Sequence, residues 1–198
     1  MNSIYGTYRP ELERTREFLI GRIEEIRSEM KSRTGGEPIE HLLSRVKSEE
    51  SMREKCVRKG LPETPESALF HIYDAIGIRI VCSFINDIQK IRDRIAELPG
   101  CRVVREKDYI RKAKPNGYRS YHMVIQTDTG IYAEIQLRTI SMDTWAALEH
   151  HMKYKKKLNS NLELITSELK RCADELASTD LSMQILHDMI YDEGETTP

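Results

Sequence analysis

Two carboxylates stand out for the residues around them. Asp74 immediately precedes an apolar, β-branched run in Asp74-Ala75-Ile76-Gly77-Ile78-Arg79, and Glu134 lies within Ile131 to Arg138, where apolar and polar residues alternate strictly. In an extended strand Ile131, Ala133, Ile135 and Leu137 point one way, while Tyr132, Glu134, Gln136 and Arg138 point the other. Taken singly, Asp74 reads as a turn or cap and the polar face as solvated surface. Taken together they are the two hard oxygen ligands that Mg²⁺ takes from protein when phosphates supply others. The same period-two rule puts Tyr118, Ser120 and His122 on one face of the preceding strand. Two polar faces of one hairpin are thus available to line a site.

Basic residues cluster twice around these carboxylates. Between Arg102 and His122 the chain carries Arg102, Arg105, Lys107, Arg111, Lys112, Lys114 and Arg119 against only Glu106 and Asp108. Tyr109, Tyr118 and Tyr121 are interleaved, which combines phosphate-binding charge with rings that stack on a base. The other cluster, Arg45, Lys47, Arg53, Lys55, Arg58 and Lys59, contains Glu49, Glu50 and Glu54, so a salt-bridged helix face is an alternative there. No Gly-rich Walker loop occurs, so a bound nucleotide must be held chiefly by side chains. His187-Asp188 has no upstream histidines at ligand spacing and reads as a surface pair. Glu149-His150-His151 lacks the H-E-x-x-H pattern of zinc hydrolases.

The elements that must position these residues follow from periodicity. Pro10 opens an amphipathic helix through Leu12, Leu19, Ile23, Ile26 and Met30, closed by Gly35-Gly36. A charged helix spans about Ser48 to Lys59, and Leu61 to Pro65 is a linker by its prolines. Ile76 to Phe84 is a buried central strand, Asn86-Asp87 caps a helix through Leu98, and a short strand runs from Cys101 to Arg105. Glu106 to Gly117 reads as a long basic loop, followed by a hairpin of Tyr118 to Thr127 and Ile131 to Arg138. Helices are expected at about Ser141 to Lys156, Asn159 to Ala177, and from an Asp180 cap to Tyr191.

At 198 residues, with 39% apolar and 32% charged residues and few Gly or Pro, the sequence fits one folded body with appended helices rather than a disordered or collagenous chain. No run approaches a membrane span, and Met1 to Pro10 lacks a secretory signal pattern. Cys56, Cys82, Cys101 and Cys172 are far apart with no C-x-x-C pairing, which suggests a reducing cytoplasm. Residues 158–198 hold two basic and nine acidic residues, so the rest of a chain of net charge −1 is distinctly basic. A basic body suggests a polyanionic ligand, nucleotide or nucleic acid.

Ser44-Arg45-Val46-Lys47-Ser48, the Asp74 to Arg79 motif, Lys107-Asp108-Tyr109-Ile110, Pro115 to His122, Glu134 to Thr139 and Met142-Asp143-x-Trp145-Ala146-x-x-Glu149-His150 occur in that order across roughly Ile39 to Lys157. In this the chain resembles the synthetase domain of the RelA/SpoT family, in particular the small alarmone synthetases. The resemblance implies an α/β (α+β) fold, a nucleotidyltransferase-like mixed β-sheet flanked by helices. The implied division is an N-terminal helical extension at 1–38, a catalytic domain at 39–157 and C-terminal helices at 158–198. The implied reaction is transfer of the β,γ-pyrophosphoryl group of ATP to the 3′-hydroxyl of GDP or GTP. By resemblance Asp74 and Glu134 hold Mg²⁺, with Glu134 assisting deprotonation of the hydroxyl. Arg45 and Arg79 sandwich adenine, Lys47, Lys55 and Arg58 neutralise ATP phosphates, and Tyr118 stacks on guanine near Lys107, Lys114, Asn116, His122 and Gln136.

Where alarmone-stimulated relatives carry an aromatic-x-Thr triplet, this chain reads His41-Leu42-Leu43, so allosteric alarmone binding is not expected. Ala113 stands where a proline is frequent and Asp143 where some members have Asn. With no hydrolase domain, synthesis without degradation is expected. Two other readings remain open: a toxin-type relative that pyrophosphorylates the 3′ end of tRNA, and an inactive RNA-binding relative. The apolar stripes Leu162, Ile165, Leu169, Cys172, Leu176 and Leu181, Ile185, Leu186, Met189, Ile190 predict a homo-oligomer, by resemblance a tetramer.

Overall fold

A computed structural model describes residues 3–154 and 162–192. Five strands form one mixed sheet in the order β1-β2-β5-β4-β3: β1 (Ile39–Val46), β2 (Ile76–Cys82), β3 (Cys101–Asp108), β4 (Tyr121–Thr127) and β5 (Tyr132–Thr139). The β2 and β5 strands at the centre run parallel, and the other neighbours are antiparallel. The helices are α1 (Arg9–Thr34), α2 (Glu49–Arg58), α3 (Ile85–Ala96), α4 (Ile140–Tyr154) and α5 (Leu162–Asp192).

One face of the sheet is apolar and fully buried. Ile76, Ile78 and Ile80 of β2, Ala133, Ile135 and Leu137 of β5, and Met123 and Ile125 of β4 join Leu12, Leu19, Ile23 and Ile26 of α1 and Ile88, Ile91 and Ile95 of α3 in one core. The N-terminal helix α1 therefore shares its core with the sheet. Each isoleucine removed from water contributes roughly 1.5–3 kcal/mol, and side-chain alternation leaves the opposite face free for chemistry. Pro10 starts α1 and Gly35, at φ 71°, ends it by donating its N–H to the Lys31 carbonyl. The Ser48 hydroxyl caps α2 by accepting from Ser51 N, and Asp87 secures the start of α3 by accepting from Phe84 N at 3.2 Å.

Several expectations are corrected. The basic stretch after Arg105 is not loop from its start, because β3 continues to Asp108 with Lys107 opposite His122 and Asp108 opposite Tyr121. A bulge between Val103 and Arg105 breaks the alternation that would have announced it. The next strand begins at Tyr121 rather than Tyr118: Gly117, at φ 93°, turns the chain, and the Tyr118 carbonyl accepts from Lys114 N. Residues 39–46, to which periodicity assigned nothing, form β1. The two C-terminal helices are one continuous α5, in which Asp180 does not cap but accepts from Thr139 Oγ1 at 2.6 Å. Thr179 and Ser182 donate back to carbonyls four residues earlier, so these polar residues do not interrupt the helix. The predicted end at Lys156, start at Asn159 and boundary at 157/158 lie outside the described residues.

Candidate active site

The strand registers draw two straight rows across the polar face. Arg45, Gly77, Glu134, Val124 and Arg105 lie opposite one another in turn from β1 to β3; so do Leu43, Arg79, Gln136, His122 and Lys107. The first row has a cation at each edge and a carboxylate at its centre. At Gly77 an added Cβ would meet nothing within 4 Å, so the missing side chain opens the floor beside Glu134.

Two clefts flank Glu134. One, of about 360 Å³, is lined by Ser44, Arg45, Lys47, Asp74, Arg79, Glu134 and Gln136 among others. The second, of about 200 Å³, is lined by Arg105, Lys107, Tyr109, Lys114, His122 and Glu134 among others. Glu134 is the side chain common to both. Of the predicted residues, Lys55, Arg58, Asn116 and Tyr118 line neither cleft; Arg58 lies on an open surface with Glu50, Glu54 and Glu63. Asn116 is spent on its own loop, donating to Glu149 Oε1 at 3.0 Å and accepting from Tyr118 N. Gln136 belongs to the first cleft rather than the second.

Asp74 is held where β2 begins. Lys47 and Lys55 both donate to its Oδ2, and the Lys47 and Asp74 side chains are 14% exposed. Burial pushes the Lys47 ammonium below its usual pKa, with Asp74 pulling the other way. Lys47 is fixed through its backbone: its N–H donates to the Ala75 carbonyl and its own carbonyl accepts from the fully buried Tyr5 hydroxyl at 2.8 Å. Tyr5 was not foreseen as part of the site's scaffold. Asp74 Oδ1 is buried and accepts no hydrogen bond from any described residue. A buried carboxylate oxygen with no donor, beside a second carboxylate, is the donor chemistry of a hard divalent cation.

Glu134 is held as an anion. His122 is the largest cause of a pKa lowered to about 2, opposed by burial and aided by Gln136 Nε2 and the Lys55 charge. His122 Nδ1 is 3.5 Å from Glu134 Oε1, and its Nε2 is 2.8 Å from the Tyr118 hydroxyl. Lys114 Nζ sits 4.5 Å from the Tyr118 ring centroid and 4.6 Å from that of Tyr109, a cation between two aromatic faces. Arg105 similarly covers Tyr73 at 5.3 Å.

Residues 44–159 match the family described as "Region found in RelA / SpoT proteins", more than half of the chain. The chain belongs to the RelA/SpoT family. GTP pyrophosphokinase YwaC of Bacillus subtilis (strain 168) is 45% identical over 148 residues, which cover 71% of this chain and 70% of that protein. Among solved structures, small alarmone synthetase 2 of Bacillus subtilis aligns with a TM-score of 0.75 at 39% identity, covering 87% of this chain and 93% of that one. Small alarmone synthetase 1 of the same organism, bound to its product pppGpp, aligns at 0.68 and 31% identity, covering 92% and 99%. The mixed sheet flanked by helices expected of a RelA/SpoT synthetase is the fold observed.

Other motifs find structural uses. His187 packs between the rings of Phe84 and Tyr191, with centroids 4.2 and 4.4 Å away, which accounts for it as a helix-docking residue. Among the described residues no group of three or more His, Cys, Asp and Glu is arranged to hold a metal ion, and no helix is long and apolar enough to cross a membrane. All four cysteines are free.

Proposed function

We propose that this chain is a (p)ppGpp synthetase that transfers pyrophosphate from ATP to the ribose 3′-hydroxyl of GDP or GTP. The observation that carries this reading is Glu134 at the common wall of two cation-lined clefts. Two polyanions must be brought together there, and fixed cations offset their repulsion without reorganising during the reaction. The Arg45, Lys47 and Arg79 cleft takes ATP, with Lys55 reaching the same carboxylate as Lys47. The Arg105, Lys107 and Lys114 cleft takes the guanine nucleotide, whose base stacks on Tyr118 once Lys114 moves aside to its phosphates.

Asp74 and Glu134 are the residues that would hold Mg²⁺, the former through its undonated Oδ1. Bound there, the cation supplies charge neutralisation of the transferring phosphates and of the departing oxygen. Glu134, with a pKa held to about 2, accepts a hydrogen bond from the 3′-hydroxyl and aims its oxygen lone pair at the β-phosphorus. The new bond forms between that oxygen and Pβ, and the bond from Pβ to the α,β-bridging oxygen breaks. AMP leaves with the electron pair, and the hydroxyl proton passes to Glu134 or to water. Neither a covalent enzyme intermediate nor a redox step is needed.

As further parts of this reading, the protein is cytoplasmic, serves the stringent response and self-associates, as a tetramer, through the apolar side of α5. The exposed Leu181, Ile185, Leu186, Met189 and Ile190 support that last point. Incubating the protein with ATP, Mg²⁺ and GDP, GTP or tRNA, then separating products, tests the function. AMP should appear in step with a guanosine 3′-pyrophosphate. Product formed only on tRNA would install the toxin-type reading, and no product with any acceptor would favour an inactive relative.

A further inference from the structure

Arg138 lies next along the polar face of β5 after Glu134 and Gln136, yet it lines neither cleft and is only 5% exposed. A guanidinium this deeply buried must be matched by acceptors, and its partners are informative. NH1 donates to Asp143 Oδ1 at 2.9 Å, NH2 donates to the Tyr118 hydroxyl at 2.9 Å and to Gln136 Oε1 at 2.8 Å, and Nε approaches Ser120 Oγ at 3.4 Å. Asp143 Oδ1 also lies 3.3 Å from Arg79 NH1.

These contacts form a continuous chain. Arg138 has no lone pair to offer, so the Tyr118 oxygen accepts from it, and the same hydroxyl lies 2.8 Å from His122 Nε2. The other ring nitrogen, His122 Nδ1, lies 3.5 Å from Glu134 Oε1. The chain of contacts therefore runs from Arg138 through Tyr118 and His122 to Glu134. Through NH1 and Asp143 the same guanidinium reaches Arg79 on the wall of the first cleft.

We propose that Arg138 is the positioning residue that couples the two nucleotide clefts, orienting Tyr118, His122 and Glu134 on one side and, through Asp143, Arg79 on the other. The inference rests on the reading of the clefts as ATP and guanine-nucleotide sites. Arg138→Lys keeps a positive charge for Asp143 but cannot reach Tyr118, Gln136 and Asp143 together. A residue that only stabilised the fold would lower the amount of active enzyme and leave both KM values in place.

The test is steady-state kinetics with each nucleotide varied, on Arg138→Lys, Tyr118→Phe, Asp143→Asn and the three double variants. Arg138→Lys should raise KM for ATP and for the guanine nucleotide, each by about fivefold or more. Tyr118→Phe should raise the guanine-nucleotide KM alone and Asp143→Asn the ATP KM most. In the Arg138→Lys background each should add little, because contacts along one chain do not combine independently. A change in only one KM for Arg138→Lys, or effects that multiply when Tyr118→Phe or Asp143→Asn is added to Arg138→Lys, would overturn the proposal. If Arg138→Lys does not fold, the Tyr118→Phe and Asp143→Asn pair decides through kcat, where effects that multiply would overturn the proposal and a double variant no slower than the worse single variant would support it. Failure of the underlying reading looks different: Tyr118→Ala and Arg79→Ala would then leave both nucleotides unaffected.

Discussion

Asp74 and Glu134 both line the first cleft, but their surroundings give them different work. Asp74 is bound by two ammonium groups through one oxygen and leaves the other undonated, whereas Glu134 receives His122 and Gln136. Asp74→Asn and Glu134→Gln should each lower kcat by at least about a thousandfold, with folded-state circular dichroism unchanged, since neither removes apolar burial. Turnover within tenfold of wild type in either variant would remove that residue from the reaction. The position of Glu134 was legible in the sequence because period-two alternation fixes a face, and Glu134 and Gln136 obey it, whereas Asp74 precedes β2 and was legible through its motif. Burial along that face was not legible: Arg138 obeys the same alternation, but nothing local tells that α4 supplies Asp143 as its partner. The signal available was a cation on a face otherwise assigned to chemistry. Arg58 and Asn116, carried over from motif resemblance, lie respectively outside the clefts and in a loop-bracing contact.

Elements set the precision with which those residues meet. Gly77 on β2 leaves the floor of the first cleft open, so Gly77→Leu should fill it without strain. KM for ATP should rise at least about tenfold while thermal stability stays within roughly 3 °C of wild type. An unchanged ATP KM would relocate the donor site. On the other side of the sheet order, Arg92 of α3 clamps Glu106 of β3 through Nε and NH2 at 2.7 and 2.6 Å, and the Tyr121 hydroxyl adds a third donor at 3.0 Å. These bonds, the Arg92 pair foremost, hold the Glu106 carboxyl below its ordinary pKa. The contribution to stability is therefore complete above the unfolded value of about 4.3 and is lost as pH falls through the lower folded value. Glu106→Gln should cost on the order of 1 kcal/mol in urea unfolding at pH 7 and less at pH 3. An equal deficit at both pH values would show a packing effect instead. The apolar strands and capped helices were readable because their periodicity and caps are local. The β1 strand and the end of β3 were not, since edge strands with charged residues are defined by the partner that supplies their hydrogen bonds.

At the scale of the whole molecule, α5 has two jobs on two sides. Its inner side presses on the loop before β4, where a Cβ on Gly117 would come within 2.7 Å of the Ala173 Cβ, and Arg119 pairs with Asp174 while Trp145 donates to the Leu169 carbonyl. Its outer side exposes Leu186 and Ile190, at 52% and 69%. The stripe through Leu169 and Leu176 thus serves the chain's own body, and the later stripe is the one left for self-association. Leu186→Asp with Ile190→Asp should reduce the mass seen by light scattering to that of a single chain, because unpaired carboxylates would be buried at any interface built there. A wild-type protein that is already monomeric at micromolar concentration would remove the interface.

The two rows across the sheet have a further consequence. Five strands at about 4.8 Å spacing hold Arg45 and Arg105 some 19 Å apart, a distance fixed by backbone ladders and not by the lengths of the connecting loops. Loop insertions can therefore accumulate without disturbing the separation of the reacting groups. A single-residue insertion or deletion inside β5 is another matter, for it would exchange Glu134 with Ile135 or Ala133 across the sheet, putting a charge into the core and a hydrocarbon into the clefts. Reactivity in this fold is a matter of parity: the enzyme tolerates changes in how long its connections are, but not in whether the count along its central strand is odd or even.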